Sequence, residues 1–269
     1  MKKAYLLSLL ALVFCVSAST ANTYAQTETN AKTDPNAKAA DNNTAKAVSP
    51  SDKDAMPAIA ITATTSPVDL ARAALAAQGG EKFKNLKSMV LRGSANLYAP
   101  NSTQSIPGGF VLAIAGDKLL LEVDARPIFN MKQIFDGERS YSSMPGVNMP
   151  PASEFGLPVL ARFDQPGYTV SALPDRKKQR AFRISDAEGN INDFYLDPAT
   201  SRVTTCLIPY NGYIFGIENS KFKEIDGVFV PFEFSWRLET PQGAYFAEYK
   251  VKDAKLNQAL GDDVFAMPN

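Results

Sequence analysis

Acid–base catalysis by carboxylates needs two of them in one site, and the sequence offers two adjacent pairs, Glu122/Asp124 and Asp262/Asp263. Glu122 and Asp124 share a face only on a regular strand, where side chains repeat every two residues. The second pair lies near the end of the chain, where acids are ordinarily solvated, and a single tryptophan is sparse for a sugar cleft. Both pairs read as surface carboxylates. Ser220-Lys221-Phe222-Lys223 has the Ser-x-x-Lys spelling of a serine nucleophile with a lysine partner. That partnership needs a helical turn. The flanking Phe215, Ile217 and Ile225 indicate a strand, which puts residues of odd separation on opposite faces. The acidic stretch 186–193 lacks the spacing and terminal glutamate of a calcium loop and reads as a hairpin turn.

Composition closes further routes. With no histidine, neither a Ser-His-Asp nor a Cys-His system is available, and two cysteines cannot build a structural zinc site. There is no Gly-rich phosphate loop and no Gly-x-Ser-x-Gly elbow. We expect no catalytic residue, no metal and no cofactor. Lysine plus arginine equals aspartate plus glutamate at 28 each, which argues against a nucleic-acid partner. The one dense basic cluster, Arg176-Lys177-Lys178 with Arg180, reads as a solvated hairpin end. Cys206, in Arg202-Val203-Thr204-Thr205-Cys206-Leu207, reads as a small core residue on a strand.

The chain opens with Lys2-Lys3 and the mostly apolar run 4–16, of signal-peptide length and short of the ~20 residues that span a bilayer. Cleavage after Ala21 or Ala25 fits the small residues there, so residues 1–25 are expected to be a signal peptide. Its loss removes two lysines and no acid, taking the net charge from zero to −2. A lipid anchor would fall on Cys15, but bulky Phe14 stands where a small residue belongs, so a periplasmic, unanchored protein is expected. Residues 26–65 hold no aromatic and only Val48, Met56, Ile59 and Ile61 as large apolar residues. Such a stretch cannot offset its ordering entropy and is expected to be a disordered linker.

From residue 66 the pattern changes. Ser66-Pro67-Val68-Asp69 places a capping serine before proline, Leu70, Ala71, Ala74, Leu75 and Ala77 make an apolar stripe, and Gly79-Gly80 ends the helix. The period then becomes 2. Val228, Val230, Phe232, Phe234, Trp236 and Leu238 alternate with polar residues, as do Tyr245, Ala247, Tyr249 and Val251. Turn dipeptides such as Asp226-Gly227 and Gln242-Gly243 separate the runs. About ten strands in an antiparallel meander follow, interrupted by a Pro- and Gly-rich loop over 144–167 that reads equally as a lid or an insertion. The run 110–115 is apolar at every position, so both faces of that strand are expected to be shielded from water. One short helix cannot cover such a sheet. A sheet curled around it encloses either a filled core or an apolar crevice.

Four segments decide the direction of the reading. They are Ala76-Ala77-Gln78-Gly79-Gly80-Glu81-Lys82 leading into Leu91-Arg92-Gly93, then Tyr195-Leu196-Asp197-Pro198-Ala199-Thr200, then Glu224-Ile225-Asp226-Gly227-Val228-Phe229-Val230-Pro231, and Lys255-Leu256-Asn257 followed by Asp263-Val264-Phe265 and Pro268. Their order and spacing resemble the superfamily of periplasmic lipoprotein carriers and outer-membrane lipoprotein-sorting proteins, the LolA/LolB-like fold. The resemblance implies an incomplete antiparallel barrel wrapped around a helix, with acyl chains held in an apolar cavity. It also implies an arginine that holds a lid, for which Arg92 on the first strand is the candidate.

The expected architecture is α+β and mainly β, with residues 66–269 forming the LolA-like half-barrel. The expected function is non-enzymatic: an exported protein that binds an acyl chain, lipid or lipidated protein in a half-barrel cavity, with transport to the outer membrane as the expected purpose. Its expected lining is Leu112, Ile114, Phe232, Phe234, Trp236 and Tyr245, with Arg92. The alternative is an envelope sensor or scaffold that uses the same fold to bind a membrane or periplasmic protein.

Overall fold

The computed structural model describes residues 61–144, 150–151, 154–210, 212–240 and 243–268. The expected signal peptide, Cys15 and the expected linker up to residue 60 lie outside the described residues. All described residues belong to one contact unit spanning 52–269.

Helix α1 (Pro67–Gln78) begins where the sequence places its cap: Ser66 Oγ accepts the Asp69 amide at 3.2 Å, and Pro67 occupies the first turn. A serine cap of this kind contributes about 1 kcal/mol. The helix ends at Gly79, whose φ of 125° suits glycine and whose Cα faces the Gly227 carbonyl so closely that a Cβ would sit 2.5 Å from that oxygen. Leu70, Ala71, Ala74 and Leu75 are buried. A single turn, α2 (Glu81–Lys84), follows and buries Phe83. The described residues before the cap are also placed against the fold: Ile61 packs against the core, and the Thr65 amide donates to the Thr62 carbonyl at 3.3 Å.

The first meander comprises β1 (Ser88–Tyr98), β2 (Ser105–Ala115), β3 (Lys118–Ala125), β4 (Phe129–Phe135) and β5 (Ser140–Ser142). The second begins with β6 (Thr169–Ala172), β7 (Arg180–Ser185), β8 (Ile191–Leu196) and β9 (Val203–Tyr210). It finishes with β10 (Tyr213–Ile225), β11 (Val228–Thr240) and β12 (Gly243–Leu256). Pairing of β1 with β12 joins the two into one antiparallel sheet of order β5-β4-β3-β2-β1-β12-β11-β10-β9-β8-β7-β6. Among the described residues there are twelve strands, where the sequence suggests about ten. The sheet does not close, since β5 and β6 are both edges, and α1 packs on β6, β7 and β11 within it. The architecture is an incomplete, mainly antiparallel barrel around a helix.

Two apolar layers explain the unbroken apolar strands. On the concave side Phe110, Leu112, Leu119, Leu121 and Val123 join the main core. On the convex side Val90, Ala113, Leu120 and Ile134 are covered by Phe265, from a 3₁₀ turn (Asp262–Phe265), with Leu260 and Met267 beside it. Both faces of β2 are therefore shielded, as its composition requires.

The stretch 144–167 contains a short helix, α3 (Leu157–Leu160), and its described part is built into the core: Phe155, Val159, Leu160 and Phe163 are all buried. The basic cluster sits on the β6–β7 hairpin, with Lys177 and Lys178 exposed and Arg180 paired to Asp175 at 2.9 Å. Among the described residues no helix is long and apolar enough to cross a membrane.

Candidate functional site

Alternation along β1 and β2 turns Met89, Leu91, Leu112 and Ile114 toward the concave side, where they face Val203, Cys206, Ile217, Phe234 and Trp236 of β9–β11. Between these walls lies a cavity of about 80 Å³, roofed by Phe155, Gly156, Leu157 and Pro158. Asn219 is its one polar side chain, and it donates to the Val203 carbonyl at 3.4 Å.

A buried side chain of β8 holds the roof's backbone. Asn192, buried on β8, accepts the Gly156 amide on Oδ1 at 2.8 Å and donates Nδ2 to the Glu154 carbonyl at 2.8 Å. Two backbone groups that would otherwise be stranded under the roof are thereby satisfied. Cys206 lies beneath, its Sγ 3.8 Å from the same Asn192 Oδ1. Burial pushes the Cys206 thiol well above its usual range, so it is neutral and inert as a nucleophile. Glu154 is also held above the ordinary carboxylate range, first by burial and then by the charges of Asp186 and Glu188.

Aromatic rings connect roof to wall. Phe155 meets Phe215 edge-on at 5.9 Å, Phe215 meets Trp236 at 5.4 Å, and Trp236 meets Tyr249 at 5.4 Å. Tyr249 stacks on Phe234 at 4.7 Å and meets Phe110 at 4.9 Å. Such contacts contribute ~0.5–1.5 kcal/mol per pair beyond area burial and set the shape of the wall.

Of the residues expected to line a site, Leu112, Ile114, Phe234 and Trp236 border this cavity. Phe232, Tyr245 and Arg92 do not. Alternation lapses on β11, where Pro231 borders the cavity and the Phe232 ring lies 4.1 Å from Lys223 Nζ. Opposite Phe232 the β10 residue is Lys221, at φ 51°, and the ladder skips that pair. Tyr245 is 38% exposed near the turn end of the β11–β12 hairpin. Arg92 follows inward Leu91 and so points to the convex face.

Sequence reasoning missed much of the lining, Met89, Leu91, Phe155, Val203, Ile217 and Asn219 among it, and missed Asn192, which holds the roof from β8. Asn192 had a signal, since it is the polar residue in phase with Phe194 and Leu196 on β8, both fully buried. Phe155 had none, because 144–167 shows no periodicity. Ser220 and Lys223 are not partners: Ser220 donates to the Glu233 carbonyl at 3.3 Å, while Lys223 covers Phe232. Among the described residues no group of three or more Cys, Asp or Glu side chains is placed to hold a metal ion.

No family model and no curated protein matches the chain. Among solved structures it is similar to a LolA superfamily protein from Nitrosomonas europaea, at 12% identity over 76% of this chain and 99% of that one, with a TM-score of 0.48. It is similar also to an outer-membrane lipoprotein-sorting protein domain, described as putative, from Vibrio parahaemolyticus, at 14% identity over 74% and 95% of the two chains, TM-score 0.46. A DUF1329 family protein from Desulfovibrio piger matches at 10% identity over 75% and 98%, TM-score 0.48.

Proposed function

We propose that this protein is a non-enzymatic binder that takes an apolar chain, the acyl part of a lipid or of a lipidated protein, into the cavity under residues 155–158. The observation that carries the reading is a cavity without a charged side chain, roofed by residues 155–158, whose backbone Asn192 holds. A lining of this kind rewards removal of methylene groups from water, at ~0.8 kcal/mol each, and offers no counter-charge to a buried ion.

The cavity of about 80 Å³ is far below the ~300–1,000 Å³ of occupied ligand pockets. Binding therefore requires the roof to swing outward, extending the cavity between the two walls. Phe155 would give up its place to the incoming chain, and the Asn192 hydrogen bonds would break and re-form around it. Transfer is then release and capture, with no covalent step. The basic, apolar opening of residues 1–25 supports an exported location.

The test is native mass spectrometry of the protein secreted from its full precursor and purified without detergent. Extra mass that extracts into organic solvent is expected, and it names the cargo class. A clean mass, together with no uptake of a pyrene-labelled palmitoyl chain, would overturn the reading.

One observation favours the second reading, a scaffold for a membrane or envelope protein. Ile128, Tyr213, Ile214 and Tyr245 are the exposed large apolar residues among those described, and the ladder register places all four at one end of the sheet. A stable complex with a protein partner in lipid-free conditions supports that role; its absence from cross-linked envelope extracts counts against it.

A further inference from the structure

A second and larger hollow, about 430 Å³, lies on the convex face, away from the capped cavity. Its walls are charged and its floor is small. Arg92 on β1, Val111 on β2 and Glu122 on β3 are consecutive in one cross-strand row. Neighbouring strands lie ~4.8 Å apart, so Arg92 and Glu122 stand about 10 Å apart with Val111 between them. No ion pair joins Arg92 to any described residue, or Glu122 to Lys132, its row neighbour on β4.

A bulge supplies the second cation. Arg92 pairs with Asp253 while Gly93 pairs with Val251, which leaves Lys252 unopposed and bordering the hollow. Gly93 permits this approach, because a Cβ there would lie 1.9 Å from the Lys250 carbonyl oxygen. Asp253 is exposed beside the bulge and does not border the hollow. Gly109 keeps the floor open: its Cβ would have the Gly93 oxygen at 3.7 Å as its nearest contact, so the space above it is free.

Glu122 and Asp124 do share a face, since β3 is regular here. They do not form an acid–base pair. Arg126 grips Asp124 through Nε at 2.9 Å and Nη2 at 2.5 Å, and these hydrogen bonds hold its carboxyl down to about 2. Asp124 thus stays ionised and already partnered. The groups left for a ligand are two cations on one side and, on the other, Glu122, whose charge also acts on Arg126 without an ion pair to it.

We infer that this hollow binds a zwitterion, with an anionic oxyacid group held between Arg92 and Lys252, an ammonium group on Glu122, and Gly109 and Val111 as the floor. That chemistry has two sources, a free solute such as phosphoethanolamine or the same group as a phospholipid head.

The experiment titrates the isotope-labelled mature protein with O-phosphoethanolamine, inorganic phosphate and ethanolamine separately, following the amides of Gly93 and Gly109. Saturable binding of phosphoethanolamine is expected to be about tenfold or more tighter than either half. Arg92→Gln, which alters an exposed side chain, and Gly109→Leu, which fills the floor, are each expected to weaken it by about tenfold or more. Glu122→Gln should weaken phosphoethanolamine and leave inorganic phosphate unchanged. Co-sedimentation with phosphatidylethanolamine vesicles that Arg92→Gln abolishes assigns the lipid head. Binding of the soluble compound without vesicle binding assigns the free solute. Equal affinity for phosphate alone, indifference to Arg92→Gln, or no saturable binding of either form overturns the site.

Discussion

Asn192 holds Gly156 and its neighbourhood from below: the Gly156 amide donates to Asn192 Oδ1 at 2.8 Å, and the Asn192 amide returns a bond to the Glu154 carbonyl at the same distance. A strand residue thus fixes the only described segment that separates the cavity from the outside on that side. Replacing Asn192 with leucine strands both backbone partners. The expected cost is about 1–3 kcal/mol of stability. In native buffer, alkylation of Cys206 should accelerate, because the thiol beneath is reached only when the roof lifts. Unchanged labelling, measured by mass spectrometry against denatured protein, would sink the latch.

Phe155 is the roof's largest contribution to the core, 5% exposed and edge-on to Phe215. Phe155→Ala should lower stability by about 3–5 kcal/mol, as truncation of a buried phenylalanine does. The same change enlarges the cavity, so uptake of a pyrene-labelled palmitoyl chain should become faster and tighter. A variant that loses stability without gaining affinity would separate the roof from the binding site.

Trp236 is the sole tryptophan and borders the cavity. Its emission is therefore a direct reporter. Entry of a pyrenyl chain should quench it by energy transfer in proportion to occupancy, and Phe234→Asp, which puts a charge in the wall, should abolish both the quenching and the binding. Quenching that survives Phe234→Asp would place the probe elsewhere.

The two buried acids of the wall make stability fall at high pH. Burial raises the Cys206 thiol from its ordinary 9.0 and the Tyr249 phenol from its ordinary 10.0. A group whose folded pKa is raised leaves stability intact below its unfolded value, and that stability is lost as pH climbs beyond it. Urea midpoints should therefore hold steady up to pH 9 and decline above it, with Cys206→Ala declining less steeply than the parent. Parallel declines in the two proteins would show that Cys206 ionises freely in the fold.

Phe265 covers the convex cluster of Val90, Ala113, Leu120 and Ile134. Phe265→Ala is expected to cost about 3–5 kcal/mol while leaving the concave cavity intact. Thermal melts and dye uptake measured side by side check this: loss of stability with normal uptake is the expected pair.

Local chemistry made much of this readable in the sequence. The Ser66 cap, the glycine stop at Gly79 and the period-2 runs of β11 and β12 each act within a few residues, so they survive without knowledge of the fold. The unbroken apolarity of 110–115 correctly demanded two covers, although nothing there identified Phe265 as the second. Phe232 and Pro231 escaped because one irregular residue on the neighbouring strand, Lys221, upsets an alternation that the sequence shows as perfect. The roof escaped for a different reason. Residues 154–158 follow neither period, and their placement comes from Asn192, more than thirty positions away. The outward direction of Arg92 follows from strand phase beside inward Leu91.

The seam between β1 and β12 sets when the molecule can come into being. Met89 faces Leu256 and Tyr98 faces Phe246, so one flank of an early strand waits for the final strand of the chain. During synthesis, β1 and β2 leave the ribosome as a hairpin with one open border; β3 to β5 extend its far flank and β6 to β11 build the other half, and none of them seals that border. Contacts of such long sequence separation are slow to form. A growing chain therefore carries an unpaired β1 edge until nearly all of its strands have been made.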